Sequence, residues 1–151
     1  MSPVQVHIAS LAQRPLCHHL RRIVFIDEQG VPEADELDDR DGESLHLLAW
    51  RGEEAVGTAR MRLVGELAKA ERVAVRADAR GQGVGAALMA RIETEAMAQG
   101  LQGVKLAAQE SAVTFYLRLG YEIFGEPFTD AGIPHRWMKK ALSPEGPESR
   151  G

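Results

Sequence analysis

The segment from Arg80 to Ala86, Arg-Gly-Gln-Gly-Val-Gly-Ala, sets one guanidinium and three glycines against the start of a strongly helical run. Glycines at such a place let a ligand reach the backbone without striking a Cβ. The helix start offers unpaired N–H groups and the positive end of the macrodipole. Together these parts make an anion site, most naturally for phosphate, and Arg80 adds a charged donor. Two familiar phosphate loops do not fit. A Walker loop needs Gly-Lys-Ser/Thr, and no lysine follows here. A dinucleotide fingerprint needs G-x-G-x-x-G in an early βαβ unit, whereas Gly81, Gly83 and Gly85 are spaced G-x-G-x-G and follow a run of strands. On spacing alone, a glycine-rich turn with no ligand stays open as a reading.

The elements that must position this loop follow from periodicity. "VQVHIA" alternates as a strand, and from Arg14 to about Gln29 the apolar residues Leu16, Leu20, Ile23 and Val24 recur at helical spacing, ending near Gly30-Val31-Pro32. Three strands follow through short turns: Ser44 to Trp50, Ala55 to Gly65, and residues 66 to 76. They predict an antiparallel meander. On the third, Glu71, Val73 and Val75 share one side. The helix after the glycines carries Val84, Leu88, Ile92 and Ala96 four apart, a stripe for the core, and stops at Gly100. A strand from Gly103 to Gln109, a short helix N-capped by Ser111 and stopped by Gly120, and two strands in "YEIFGE" and "PHRWMKKAL" complete the order β-α-β-β-β-α-β-α-β-β. This is an α/β (α+β) chain: a mixed, mostly antiparallel sheet of six to seven strands with helices on both faces. The helical crossover makes the Val75 and Leu106 strands parallel. One domain over residues 1–142 and a flexible tail over 143–151 are expected.

Composition narrows the function. Net charge is −4, which argues against nonspecific nucleic-acid binding. Of the chain's 22 acids and 18 Lys/Arg, nine acids and one arginine fall between Asp27 and Glu43, leaving 13 acids against 17 bases elsewhere. The body suits an anionic ligand. The acidic run is either a solvated loop or a face for a cation. The single cysteine, Cys17, excludes an internal disulfide and a cysteine-rich metal site, and no metal is expected. No apolar run approaches the ~20 residues of a membrane span. With no export signal at the start, the cytoplasm is the expected compartment.

The stretch "RVAVRADARGQGVGAALM" resembles the acetyl-CoA-binding motif of the GNAT superfamily of N-acetyltransferases, with Arg80, Gly83 and Gly85 at the motif positions. "KLAAQESAVTFYLRLGYEIFGE" resembles the superfamily's second hallmark, a strand and short helix bearing Phe-Tyr, then Gly-Tyr. The likeness runs from about residue 3 to residue 142. The segments "VFIDEQGVP", "AQESAVTFY" and "GIPHRWM" look most like the ElaA-like branch. The resemblance implies a GNAT-like acyl-CoA N-acyltransferase fold with acetyl-CoA as donor cosubstrate. It implies that the edge of Val73, Ala74 and Val75 holds the pantetheine arm, and that Arg80, Gly81, Gln82, Gly83, Val84, Gly85 and Ala86 wrap the pyrophosphate. The helix from Ser111 would flank the thiol end, and Tyr116 stands where the family often places a general acid. This chain departs from the many members that carry an asparagine here: it reads Gln109-Glu110-Ser111, and the resemblance leaves Gln109 and Ser111 as the candidates for that contact.

Acetyl transfer to an amine requires that the amine lose a proton, the carbonyl be polarised and the thiolate be protonated. Tyr116 suits the last step, since a phenol's ordinary pKa of ~10 lies near that of a thiol. Glu28, Glu71 and His135 are alternative bases, and an amine entering neutral would need none. Cys17 with His18 and His19 makes no nucleophile pair, because neighbours in a helix do not face each other. The expected activity is direct transfer of acetyl from acetyl-CoA to an amine on a small molecule or peptide, without nucleic acid or membrane, in a chain whose family suggests a homodimer. A noncatalytic acyl-CoA sensor is the alternative, and a purely structural protein a remoter one. The acidic loop favours a cationic acceptor, tested by neutralising Glu33, Asp35, Glu36, Asp38 and Asp39.

Overall fold

The computed structural model describes residues 3–142. The expected tail over 143–151 lies outside the described residues. Seven strands form one sheet in the order β1-β2-β3-β4-β5-β7-β6. They are β1 Val4–Ile8, β2 Leu45–Arg51, β3 Glu54–Val64, β4 Leu67–Val75, β5 Gly103–Gln109, β6 Glu122–Asp130 and β7 Ile133–Ala141. The α-helices among the described residues are α1 Arg14–Arg21, α2 Glu33–Glu36, α3 Val84–Ala98 and α4 Val113–Arg118. The order of the strands and the mixed character of the sheet match the sequence reading; α2, between α1 and β2, is an added helix. The pairs β1–β2, β2–β3, β5–β7 and β6–β7 are antiparallel, while β4 and β5 run parallel.

The chain divides into two compact units, Met1–Arg62 with Glu71–Arg91, and Leu63–Ala70 with Ile92–Gly151. In the first, helices pack on both faces of β2 and β3. Cys17 and Leu20 of α1 bury against Leu48 and Ala9 on one face. On the other face, α3 comes so close to β3 that Gly57 is obligatory. A Cβ there would lie 2.7 Å from Val84 Cγ1 and 3.2 Å from both the Ala74 carbonyl oxygen and Leu88 Cδ1. The predicted stripe Val84, Leu88, Ile92 and Ala96 is buried throughout.

In the second unit, Leu67 to Ala70 of β4 pair in parallel with Gly103 to Leu106 of β5, the register ending at Ala70 opposite Leu106. The remaining residues of β5 continue along β7, ending with Gln109 opposite His135. Glu93 on α3 accepts from Tyr121 Oη at 2.9 Å and Lys140 Nζ at 3.0 Å, tying helix to sheet.

Four local expectations need correction. The helix predicted to Gln29 is α-helical only to Arg21; Arg22–Glu28 winds as a π-helix, a form that concentrates at functional places. The acidic stretch contains α2 and is not an open loop. Ser111 lies in a 3₁₀ turn, Glu110–Ala112, and the N-cap of α4 is Ala112. Alternation along β4 breaks at Arg72, whose φ of +53° lies in the left-handed region. That backbone lets Arg72 and its neighbour Glu71 reach the same ionic cluster.

Candidate active site

The loop before α3 has the form the sequence suggests. Gly81 and Gly83 adopt φ of +78° and +83°, a region costly for side chains with a Cβ, and nothing stands within 4 Å of where either Cβ would be. Both glycines are therefore required by the backbone, Gly81 as much as Gly83, and the space beside them is open. Gly85 is already inside α3, whose first turn closes with Ala87 N–H donating to the Gly83 carbonyl at 3.0 Å. The N–H groups of Val84, Gly85 and Ala86 precede that bond and have no partner inside the helix. An anion seated there meets backbone donors and the dipole together.

Side chains brace the loop. Arg51 Nη1 donates to Gln82 Oε1 at 2.9 Å, and Gln82 Nε2 to the Asp78 carbonyl at 3.3 Å. Arg76 N–H donates to the Val56 carbonyl at 2.8 Å, which fastens the end of β4 to β3. Arg80 Nε donates to the Val75 carbonyl at 3.0 Å, and its Nη1 and Nη2 grip Glu28 at 2.6 Å each. The structure thus joins a candidate base to a candidate phosphate ligand. The Arg80 hydrogen bonds hold the Glu28 carboxyl below its ordinary pKa.

Glu71 faces no open space. Its Oε1 accepts from Arg60 Nε and Nη2 at 3.1 and 2.8 Å and from Arg62 Nε at 2.9 Å. It belongs to a cluster that the sequence did not reveal. Arg60, fully buried, also donates to Asp38 at 2.8 and 2.9 Å and to Asp41 at 2.9 Å. Arg21, 1% exposed, donates to Glu36 at 2.7 Å and Asp41 at 2.8 Å, and Arg72 Nε donates to Glu36 at 3.0 Å. Hydrogen bonds from Arg60 drive the Asp38 carboxyl far below the usual range. Burial pushes Asp41 up, yet Arg21 and Arg60 hold it below its ordinary value. Glu36 of the acidic run is therefore buried against arginines, and Asp38 pairs with them from a partly exposed position, while Asp27, Glu33, Asp35, Asp39 and Glu43 stay exposed. The one sequence signal was the pair Arg60 and Arg62 in a mostly apolar strand.

In the second unit Tyr116 sits on α4, 7% exposed, with its ring edge-on to Phe115 at 4.9 Å and to Tyr121 at 5.9 Å. Burial pushes its phenol up to about 12. Ser111 lies one turn ahead in the chain, and Gln109 ends β5. His135 is buried on β7 and stacked on Phe128 at 5.5 Å. Its Nδ1 lies 2.7 Å from the Ile133 carbonyl, so Nδ1–H donates there and a neutral ring carries its lone pair on Nε2. Tyr116 and His135 belong to separate aromatic groups. Among the described residues, no three His, Cys, Asp or Glu side chains are placed to hold a metal ion, and no helix is long and apolar enough to cross a membrane.

Comparison with known proteins identifies the family. The family model for the acetyltransferase (GNAT) domain matches residues 24–142. The uncharacterized N-acetyltransferase YjcF of Bacillus subtilis is 41% identical over 123 residues, covering 81% of this chain and 88% of that protein. Protein ElaA of Escherichia coli is 33% identical over 138 residues, covering 88% of this chain and 90% of ElaA. The ElaA crystal structure superposes with a TM-score of 0.79, covering 93% of this chain and 99% of that one. An acyl-CoA N-acyltransferase from Pseudomonas aeruginosa reaches a TM-score of 0.80 at 29% identity, covering 93% of this chain and all of that one. The chain belongs to the GNAT family of acetyltransferases and is related to its ElaA branch.

Proposed function

We propose that the chain moves an acetyl group from acetyl-CoA to an amine by direct attack. The observation that carries this reading is the loop ahead of α3: two glycines held at positive φ beside open space, backbone donors at the helix start, and Arg80 at its edge. A pyrophosphate fits that donor set, since it needs several N–H groups and no Cβ in its way. Arg80 to Ala86 hold it, and the β4 edge at Val73, Ala74 and Val75, beyond the residues paired with β5, carries the pantetheine arm. Gln109 and Ser111 serve the thiol end.

In the reaction the amine nitrogen bonds to the thioester carbonyl carbon and the C–S bond breaks. The amine proton passes to the base, and the departing thiolate takes a proton from Tyr116. Burial keeps the Tyr116 phenol protonated through the assay range, the form an acid requires. Among the three bases, His135 is the best disposed, with Nδ1 spent on Ile133 and Nε2 left to accept. The Glu71 carboxylate is committed to two guanidiniums, and Glu28 is committed to Arg80. The acceptor is an amine whose class the arginine-bound acidic stretch does not dictate.

Isothermal titration with acetyl-CoA tests the donor, and thiol release across a panel of amines, peptides and aminoglycosides tests the transfer. Binding with thiol release on at least one amine is expected. No acetyl-CoA binding, or binding without thiol release on any acceptor, overturns the reading.

A further inference from the structure

Arg80 stands at the edge of the glycine loop with three of its nitrogens in use. Nη1 and Nη2 donate to the two carboxylate oxygens of Glu28, both at 2.6 Å, and Nε donates to the Val75 carbonyl at 3.0 Å. Two parallel N–H···O bonds are how arginine takes a carboxylate, and it takes a phosphate the same way. The partners are 52 residues apart, so no local turn imposes the pairing. Glu28 thus lays an anion on the outer edge of Arg80, beside the loop built for one.

We propose that Glu28 is a built-in competitor for the pyrophosphate, displaced from Arg80 when acetyl-CoA binds. This rests on the acetyl-CoA reading above. Three features suit the exchange. The two side chains are 42% and 40% exposed, so either can pass to water at small cost. The backbone behind Glu28 is held independently, by Gly30 N–H to the Ile26 carbonyl at 3.1 Å and Val31 N–H to the Phe25 carbonyl at 2.8 Å. Only the flexible Glu28 side chain has to turn. Arg80 keeps its post through Val75. The carboxyl, held below its ordinary pKa by Arg80, is fully charged at neutral pH and competes as an anion. Linkage makes the effect reciprocal: whatever opens the Arg80–Glu28 pair favours the donor, and the donor opens the pair.

If the pair were only a brace for the loop, its loss would weaken donor binding. Competition requires the opposite sign. Titration calorimetry with CoA as the probe separates the two, using the full chain, Glu28→Gln, Arg80→Ala and the double variant. Glu28→Gln is expected to bind CoA about two- to fivefold more tightly, the worth of one exposed ion pair. That gain should vanish in the Arg80→Ala background. Unchanged or weaker binding by Glu28→Gln, or a gain that survives without Arg80, overturns the competitor while CoA binding by the unaltered chain leaves the acetyl-CoA reading standing. Failure of the unaltered chain to bind CoA overturns both.

Discussion

Arg60→Met should destabilise the fold more than any surface change, and the loss should shrink in acid. The Arg60 side chain is 0% exposed and donates five hydrogen bonds to Asp38, Asp41 and Glu71. Methionine fills much of the volume but leaves three carboxylates short of a partner. Removing one side of a buried ion pair costs about 3–5 kcal/mol. Each acid here keeps a second arginine: Asp41 has Arg21 at 2.8 Å, Glu71 has Arg62 at 2.9 Å, and Asp38 has Arg72 at 3.3 Å. The cost therefore falls at the lower end, about 3 kcal/mol, which lowers Tm by about 6–12 °C in a chain of this size. The pH dependence has a definite sign. Asp38 and Asp41 are held below their ordinary values in the fold. They stabilise above the unfolded carboxylate value of ~3.9, and that contribution fades as pH falls through their folded values. Without Arg60 there is less to lose, so the gap between the two melting curves should hold from pH 7 down to about pH 4 and narrow below it, towards the folded values. Calorimetric melts of both proteins across that range check it. A loss under about 1 kcal/mol at pH 7, or a gap that stays constant in acid, refutes the reasoning.

Gly57→Val forces a Cβ to 2.7 Å from Val84 Cγ1 and should cost about 1–3 kcal/mol in thermal melts. Because Val84 opens α3, CoA affinity should fall with it; a full-strength CoA titration on the folded variant would count against that coupling. Tyr116→Phe should lower kcat at least tenfold while CoA affinity stays within about twofold, as expected for a proton donor used only in the reaction. Equal losses in both would mark a packing role. His135→Gln should lower kcat/KM at least tenfold at fixed pH while CoA affinity stays within about twofold, as expected for a base used only in the reaction. An unchanged kcat/KM would return the role to Glu28 or to an amine that enters neutral.

Much of the fold was legible in local periodicity. Four-residue spacing of Val84, Leu88, Ile92 and Ala96 specified which face of α3 is buried, because helix geometry alone stacks those positions. The helical crossover between Val75 and Gly103 specified parallel strands, because a helix returns the chain to the same end of the sheet. The glycine loop was also readable, since Gly81 and Gly83 supply a positive φ that other residues resist. Arg22–Glu28 was not: a π-helix keeps helical apolar spacing, so the pattern carried no warning of it.

Charge partners were decided only by the tertiary structure. From sequence, Asp27 to Glu43 was an acidic run and Arg60 and Arg62 were two charges in a strand. Arg21 meets Glu36 across 15 residues, Arg60 meets Asp38 across 22, and Arg80 meets Glu28 across 52. Hydrophobic periodicity is a property of neighbours along one element, whereas an ion pair depends on where separate elements end up. Glu71 and Glu28 look alike as free carboxylates in the sequence. The left-handed backbone at Arg72 and the path of the π-helical segment bind each to arginine, and only the folded chain could assign them.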